Sequence, residues 1–332
     1  MRPKLLAALA AAGSLTAACT SGGGTAVRSA ASHPATSGTS SQSAASASAG
    51  TAAPATGAAS TTAPSTTVPP PSTTAVPNGW TVVSQVAAGP AIEERTVVTA
   101  DGATVVLLRF LAGRTVFDLH VGSVDPPTQS EPIPASAGSV ISAAERPLLL
   151  GAFNGGFYTS TGSGGFEVDG MVLKALQTGV ASLVIDQNGQ ARVAVWGQGA
   201  PLPGEAVASV RQNLPPLVAN GQPSSEINVI SAWGATLGGV NYVARSAIGT
   251  DQAGNLVYAA SRSAVPVDLS TALIDAGCVT AMELDINPEW VQADVAATPG
   301  APLTAALPGQ SRPADQYLYG WTRDFVTVQA AP

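Results

Sequence analysis

The chain has 332 residues, 45% hydrophobic but only 11% charged, with 35 Gly, 26 Pro and a formal net charge of −7. Three of its 14 basic residues (Arg2, Lys4, Arg28) and none of its 21 acids precede residue 79, so residues 79–332 carry 11 basic against 21 acidic residues, a net −10. That sign excludes nucleic acid and an anionic membrane surface as partners, although one or two Arg can still act locally on an anionic small substrate.

Met1-Arg2-Pro3-Lys4, the apolar run Leu5–Ala12 and the small residues before Cys19 read as a signal peptide over 1–18. The apolar run is too short to remain as a spanning helix. Leu15-Thr16-Ala17-Ala18-Cys19 resembles the lipobox of bacterial lipoproteins, which implies that Cys19 becomes the acylated first residue. Ordinary signal cleavage with Cys19 as a bystander is the alternative. Two or more acyl chains would anchor the protein stably. Residues 19–78 are Ser, Thr, Ala, Gly and Pro without periodic apolar pattern, so they cannot offset the entropy of ordering and read as a disordered tether. Thr61–Pro77 is rich in Pro and Thr and should be the stiffer half. The expected partner of this end is the membrane, through the lipid, with residues 79–332 facing outward from the cytoplasmic membrane.

Residues 79–332 read as one α+β domain, strand-rich with few helices. Short β-branched runs bounded by Gly, Asp or Asn predict strands at Thr81–Val86, Thr96–Val98, Thr104–Phe110, Thr115–Val121, Leu148–Phe153, Ser182–Ile185, Arg192–Trp196, Tyr242–Ile248, Leu256–Ala260, Val279–Ile286 and Asp324–Val328. The clearest helix is Asp268–Gly277, with Asp268 as cap, Leu269, Ala272, Leu273 and Ala276 on one face and Gly277 as stop; Ser139–Glu145 is a weaker one. With Cys19 lipidated, Cys278 has no disulfide partner and reads as a small buried hydrophobe. His120 is the only His of the domain, which argues against a His-rich zinc site.

Three clusters carry chemistry. In the strand Val279–Ile286, alternation puts Glu283 and Asp285 on one face with Cα atoms roughly 6–7 Å apart. Two adjacent carboxylates repel unless they share a proton, a cation or donors. They read either as an acid/base couple or ligand set for a metal or sugar, or as a strand end hydrated in solvent. Asn154-Gly155-Gly156-Phe157 follows an apolar strand; it offers either backbone amides for a ligand and an aromatic floor for a sugar ring, or simply a type I′ hairpin turn. Arg245 within Ala244–Gly249 is costly in an apolar strand unless paired. It reads either as a fork for phosphate or carboxylate, or as a structural ion pair with Glu283 or Asp285.

In this order the clusters resemble the phosphodiester glycosidase family. Asn154-Gly155-Gly156-Phe157 corresponds to its Asn-Gly-Gly-aromatic turn, Leu217-Val218-Ala219-Asn220-Gly221 to its later Asn-Gly segment, Arg245-Ser246-Ala247-Ile248-Gly249 to its Arg strand, and Leu284-Asp285 to the start of its last motif. There the family continues Gly-Gly-Gly-Ser, whereas this chain has Ile286-Asn287-Pro288-Glu289-Trp290; Glu283 also replaces a frequent Asn. The resemblance implies cleavage of a glycosyl-phosphodiester or a cell-envelope glycan, with release of a phosphate monoester from the former. Glu283 and Asp285 would supply the carboxylates, and Arg245 the cation for the departing phosphate. Asn154, the amides of Gly155 and Gly156, Phe157, Asn220, Ser246 and Asn287 would surround the substrate. No cofactor is expected, although the carboxylate pair has the chemistry to hold a divalent cation. The altered last motif equally suits an envelope lipoprotein that keeps the fold and only binds or scaffolds glycan.

Overall fold

The computed structural model describes residues 75–76, 79–127, 133–236 and 239–332. The expected signal peptide, Cys19 and nearly all of the expected tether lie outside these residues. In chain order the strands are β1 (Ala75–Val76), β2 (Trp80–Val86), β3 (Gly89–Val98), β4 (Thr104–Phe110), β5 (Thr115–His120), β6 (Leu149–Asn154), β7 (Phe166–Val168), β8 (Met171–Lys174), β9 (Ala181–Asp186) and β10 (Ala191–Val195). There follow β11 (Val207–Gln212), β12 (Val218–Ala219), β13 (Gln222–Pro223), β14 (Val243–Asp251) and β15 (Leu256–Ala264). After helix α1 (Pro266–Asp275) come β16 (Cys278–Glu283), β17 (Ala293–Val295), β18 (Thr304–Ala305), the short helix α2 (Gln316–Tyr319) and β19 (Phe325–Ala330). Among the described residues no helix is long and apolar enough to cross a membrane.

The strands form three antiparallel sheets, of order β1-β2-β3-β4-β15-β14-β16-β12-β13, β10-β9-β11-β7-β8 and β18-β17-β6-β19-β5. The large sheet is buried on both faces. Val106, Leu108, Phe110, Ile248, Tyr258 and Met282 meet the two smaller sheets in the main core, where Phe117, Phe153, Leu183 and Val326 lie. Their neighbours Val105, Leu107, Ala247, Val257, Ala259 and Ala281 pack under α1 through Leu269, Ala272 and Leu273. Double burial explains why β4 reads as an almost continuous apolar run rather than an alternating one. It also explains the inert Cys278, whose thiol is pushed up to about 12, chiefly by burial.

The two-residue strand Ala75–Val76 lies at the end of the stretch read as tether. Three local expectations need correction. Helix α1 begins at Pro266, two residues before Asp268, because Pro suits the first turn; Asp268 reaches back to accept the N–H of Val265 at 3.0 Å. Ser139–Glu145 is not helical: the Glu145 carboxylate is taken by the Ser142 N–H and by buried His120 at 2.9 Å, and Pro147 ends the segment in a single 3₁₀ turn, Arg146–Leu148. The strand predicted to reach Ile286 ends at Glu283. Beyond it the chain turns on itself, with the Asn287 N–H on the Asp285 carboxylate at 2.8 Å.

Candidate active site

Sheet pairing brings distant segments together at the ends of β6, β14 and β16. β19 pairs with β6, which sets Phe325 opposite Asn154, and β14 pairs with β16, which sets Ala247 opposite Glu283. Asn154 lies at their junction. Its Oδ1 accepts the Tyr258 hydroxyl at 2.8 Å and the Gln292 N–H at 3.2 Å; its Nδ2 donates to Ser246 Oγ at 2.9 Å and to the Gly155 carbonyl at 2.8 Å. All four capacities of the amide are spent inside the protein. Ser246 passes the order on: its Oγ accepts the Asp285 N–H at 3.2 Å, and its own N–H donates to the Asp285 carbonyl at 2.8 Å. Asn213 completes the frame by donating to the carbonyls of Glu283 and Leu284 at 2.7 and 2.9 Å while accepting the Phe157 N–H.

Two carboxyl groups are held in this frame. Glu283 is 0% exposed and meets Arg245 Nη1 at 2.7 Å. Arg245 also donates to the carbonyls of Ala264 and Trp233, both at 3.1 Å. Asp285, 3% exposed, meets Arg323 Nη2 at 3.4 Å. Burial pushes both carboxyls up to about 7, against the opposing pull of Arg245 on Glu283 and of Arg323 on Asp285. The two acids therefore do not rely on one Arg strand for relief, as alternation along a single strand suggests; each has its own guanidinium because the chain turns between them.

Beside this centre, Arg323 packs into the corner formed by two edge-to-face rings, with its guanidinium carbon 3.7 Å from the Tyr158 centroid and 4.3 Å from that of Trp290. A third buried pair, Arg211 with Asp324 at 2.7 Å, fixes the turn that presents Arg323. Next to it lies a cavity of about 470 Å³ lined by residues that include Asp125, Tyr158, Thr159 and Lys174.

The expected residues are distributed unevenly around the centre. Asn154, Ser246 and Asp285 form one hydrogen-bonded group and Arg245 and Glu283 a separate ion pair beside it, and Asn287 binds the Asp285 carboxylate through its N–H. Phe157 packs toward Ile286 at Gly234, where an added Cβ would meet both side chains within 3 Å. The amides of Gly155 and Gly156 are not presented to a ligand: they donate to the backbone carbonyl and carboxylate of Asp324 at 2.9 and 3.2 Å. Nor is Asn154-Gly155 a hairpin. Its glycines are required by contact, since a Cβ on Gly155 would fall 1.9 Å from Asp324 Oδ2. Asn220 stands apart from the centre. With Gly221 it makes the β12–β13 turn, at φ of 52° and 70°, against Val279. That is the far end of β16, about 13 Å from Glu283 at strand spacing.

Arg211, Asn213, Arg323 and Asp324 were not singled out by sequence. The available signal was the polar pair Arg323-Asp324 abutting a strand, and the run Arg211-Gln212-Asn213 ending the mainly apolar Val207–Val210, both of which become buried.

Residues 149–285, the segment that holds the Asn154, Arg245 and Asp285 clusters, match the model of the phosphodiester glycosidase family. The altered segment Ile286–Trp290 and Arg323 lie beyond it. Among solved structures, the chain resembles the zebrafish N-acetylglucosamine-1-phosphodiester alpha-N-acetylglucosaminidase catalytic domain auto-inhibited by pro-peptide, at 16% identity and TM-score 0.48 over 75% of this chain and 87% of that one. It also resembles a hypothetical protein from Synechocystis, at 12% identity and TM-score 0.42 over 72% of this chain and 62% of that one. No curated protein matches the chain.

Proposed function

We propose that the chain is an exported, lipid-anchored hydrolase that cleaves a glycosyl-phosphodiester or a cell-envelope glycan. The observation that carries the catalytic part is the pair of buried carboxyls at the end of β16, both pushed to about 7, within the segment that matches the phosphodiester glycosidases. A carboxyl that titrates near neutrality populates both the proton-donating and the proton-accepting form under working conditions. For a phosphodiester substrate, the bond between the anomeric carbon and the phosphate oxygen breaks, water adds to that carbon, and the phosphate leaves as a monoester. An ionised carboxylate stabilises the oxocarbenium-like transition state.

Of the two acids, Asp285 is assigned the chemistry. Its partner Arg323 lies against the partly exposed rings of Tyr158 and Trp290, surfaces on which a sugar can stack, whereas Glu283 is paired with Arg245, which is itself held by the Trp233 carbonyl. Glu283 and Arg245 then act as a support that fixes the end of β16. The test is incubation of the full chain with glycosyl-phosphodiesters and envelope fractions, scored for reducing sugar and phosphate monoester. Release of both products supports the reading; no product from any of them removes it. A specific observation favours the rival, a glycan-binding lipoprotein: both carboxyls are buried and the altered segment Ile286–Trp290 lies against them. Glycan capture without product would establish that rival.

The anchoring part rests on the small residues before Cys19. Mass spectrometry of membrane-extracted protein is expected to find a lipid adduct on Cys19. A Cys19→Ala form that stays as firmly membrane-bound as wild type would sink this part alone.

A further inference from the structure

We infer that Arg323, and not the Arg245 of the family's Arg strand, is the residue that binds the phosphoryl group of the substrate. The inference rests on the phosphodiester reading above but names a residue 38 positions past Asp285, outside the segment matched to the family.

Arg323 is 2% exposed, and its guanidinium carbon lies 3.7 Å from the Tyr158 centroid and 4.3 Å from that of Trp290, two rings that themselves meet edge to face at 5.0 Å. Only its edges can bond. Nη2 donates to the Gly156 carbonyl at 2.6 Å and reaches Asp285 at 3.4 Å. Nε and Nη1 have no acceptor among the described residues. The nearest charge to Nε is Asp125 Oδ2 at 3.9 Å, beyond hydrogen-bonding distance, and that carboxylate already accepts the N–H and hydroxyl of Thr159. Buried donors without acceptors are costly, and charged ones more so.

Arg245 differs in kind. It leaves Nη2 unpartnered, but its own partner Glu283 leaves Oε2 unpartnered as well, so that pair holds one spare donor and one spare acceptor. Arg323 holds two spare donor groups and faces no spare acceptor in its carboxylate neighbours. What it lacks is an anion with several oxygens, and a guanidinium suits a phosphoryl group in both charge and geometry.

Position agrees with chemistry. A phosphoryl group held by Arg323 lies next to Asp285, the carboxyl assigned to the glycosidic bond. Asp125 and Tyr158, which flank Arg323, also line the 470 Å³ cavity, whose rim carries Lys174. The cavity is within the size range of small-molecule sites and offers room for the rest of the substrate. Trp290, on the exposed turn that replaces the family's glycines, is the ring a ligand displaces to reach the guanidinium edge.

The test is titration of the full chain with inorganic phosphate by calorimetry, compared with the Arg323→Lys variant. Lysine keeps a positive charge for Asp285 but loses the planar donor array. Phosphate affinity is expected to fall roughly tenfold or more. Equal affinity in variant and wild type overturns the inference. Should the variant fail to fold, a crystal of the wild type grown with phosphate decides. An anion within hydrogen-bonding distance of Arg323 Nε or Nη1 supports the inference, and an empty Arg323 overturns it. The outcomes separate this inference from the reading beneath it. Phosphate bound at Arg323 without cleavage of any glycosyl-phosphodiester keeps the site and removes the activity. Cleavage with KM and phosphate inhibition unchanged in Arg323→Lys keeps the activity and removes the site.

Discussion

Glu283 and Asp285 are two residues apart, equally buried, and raised to the same value by the same cause, yet they stand in different surroundings. Glu283 lies on the helix side of the large sheet, where Arg245 ties it to the carbonyls of Trp233 and Ala264. Asp285 lies past the end of β16, where its arginine is held by aromatic rings that reach the surface. The first pair leaves one donor and one acceptor, Arg245 Nη2 and Glu283 Oε2, without a partner among the described residues, so its spare donor and acceptor balance. The second leaves two donors, Arg323 Nε and Nη1, and no matching acceptor, which is why the proposed chemistry is placed there. One buried ion pair is therefore no guide to the role of its neighbour; the partners left unsatisfied around it are.

The sharpest way to break this comparison is Asp285→Asn. It keeps the shape and cannot ionise, so glycosyl-phosphodiester turnover should fall about 10²- to 10⁴-fold while near-UV circular dichroism stays native. Full turnover would transfer the chemistry to Glu283. Arg245→Ala should act on the other side of the comparison, through stability. Stranding Glu283 without its partner is expected to cost about 3–5 kcal/mol in urea unfolding. A loss below about 1 kcal/mol would show that the pair is dispensable.

The raised carboxyls make a third prediction, with a definite sign. Between about 4 and 7 the folded protein retains protons on Glu283, Asp285 and Asp294 that the unfolded chain has released, all three being pushed to about 7 by burial. Stability from these groups is thus present at low pH and lost as pH rises toward 7. The melting temperature should be higher at pH 5 than at pH 8, and Asp285→Asn should reduce that difference. A profile that rises with pH would contradict the burial of these groups.

Smaller effects test the packing around the centre. Gly155→Ala drives a methyl into Asp324 and is expected to cost about 1–3 kcal/mol. Gly221→Ala, at φ +70° with nothing within 4 Å, should cost nearer 1 kcal/mol through backbone strain alone. Asn220→Ala should leave turnover unchanged, because that residue sits at the opposite end of β16; a tenfold loss would place it in the site after all.

The sequence alone determined the strand-rich architecture, because β-branched runs between turn residues are local signals that burial reinforces: β4 matches its expected span, and α1 keeps the apolar face read from Leu269, Ala272 and Leu273. It also singled out Asn154, Arg245 and the two acids as residues that need partners, since a charged or amide side chain in an apolar strand demands one wherever the chain goes. Which partner each one finds was decided only by the tertiary structure. Asp324 becomes the acceptor for the Gly155-Gly156 amides because β19 inserts beside β6, and Arg323 reaches Asp285 because the strand stops at Glu283 and turns. Such contacts join segments 38 to 168 residues apart, and sequence spacing cannot encode them. Asn220 marks the reverse case: its turn chemistry is legible locally, but its distance from the acids follows from the antiparallel register of β12 on β16.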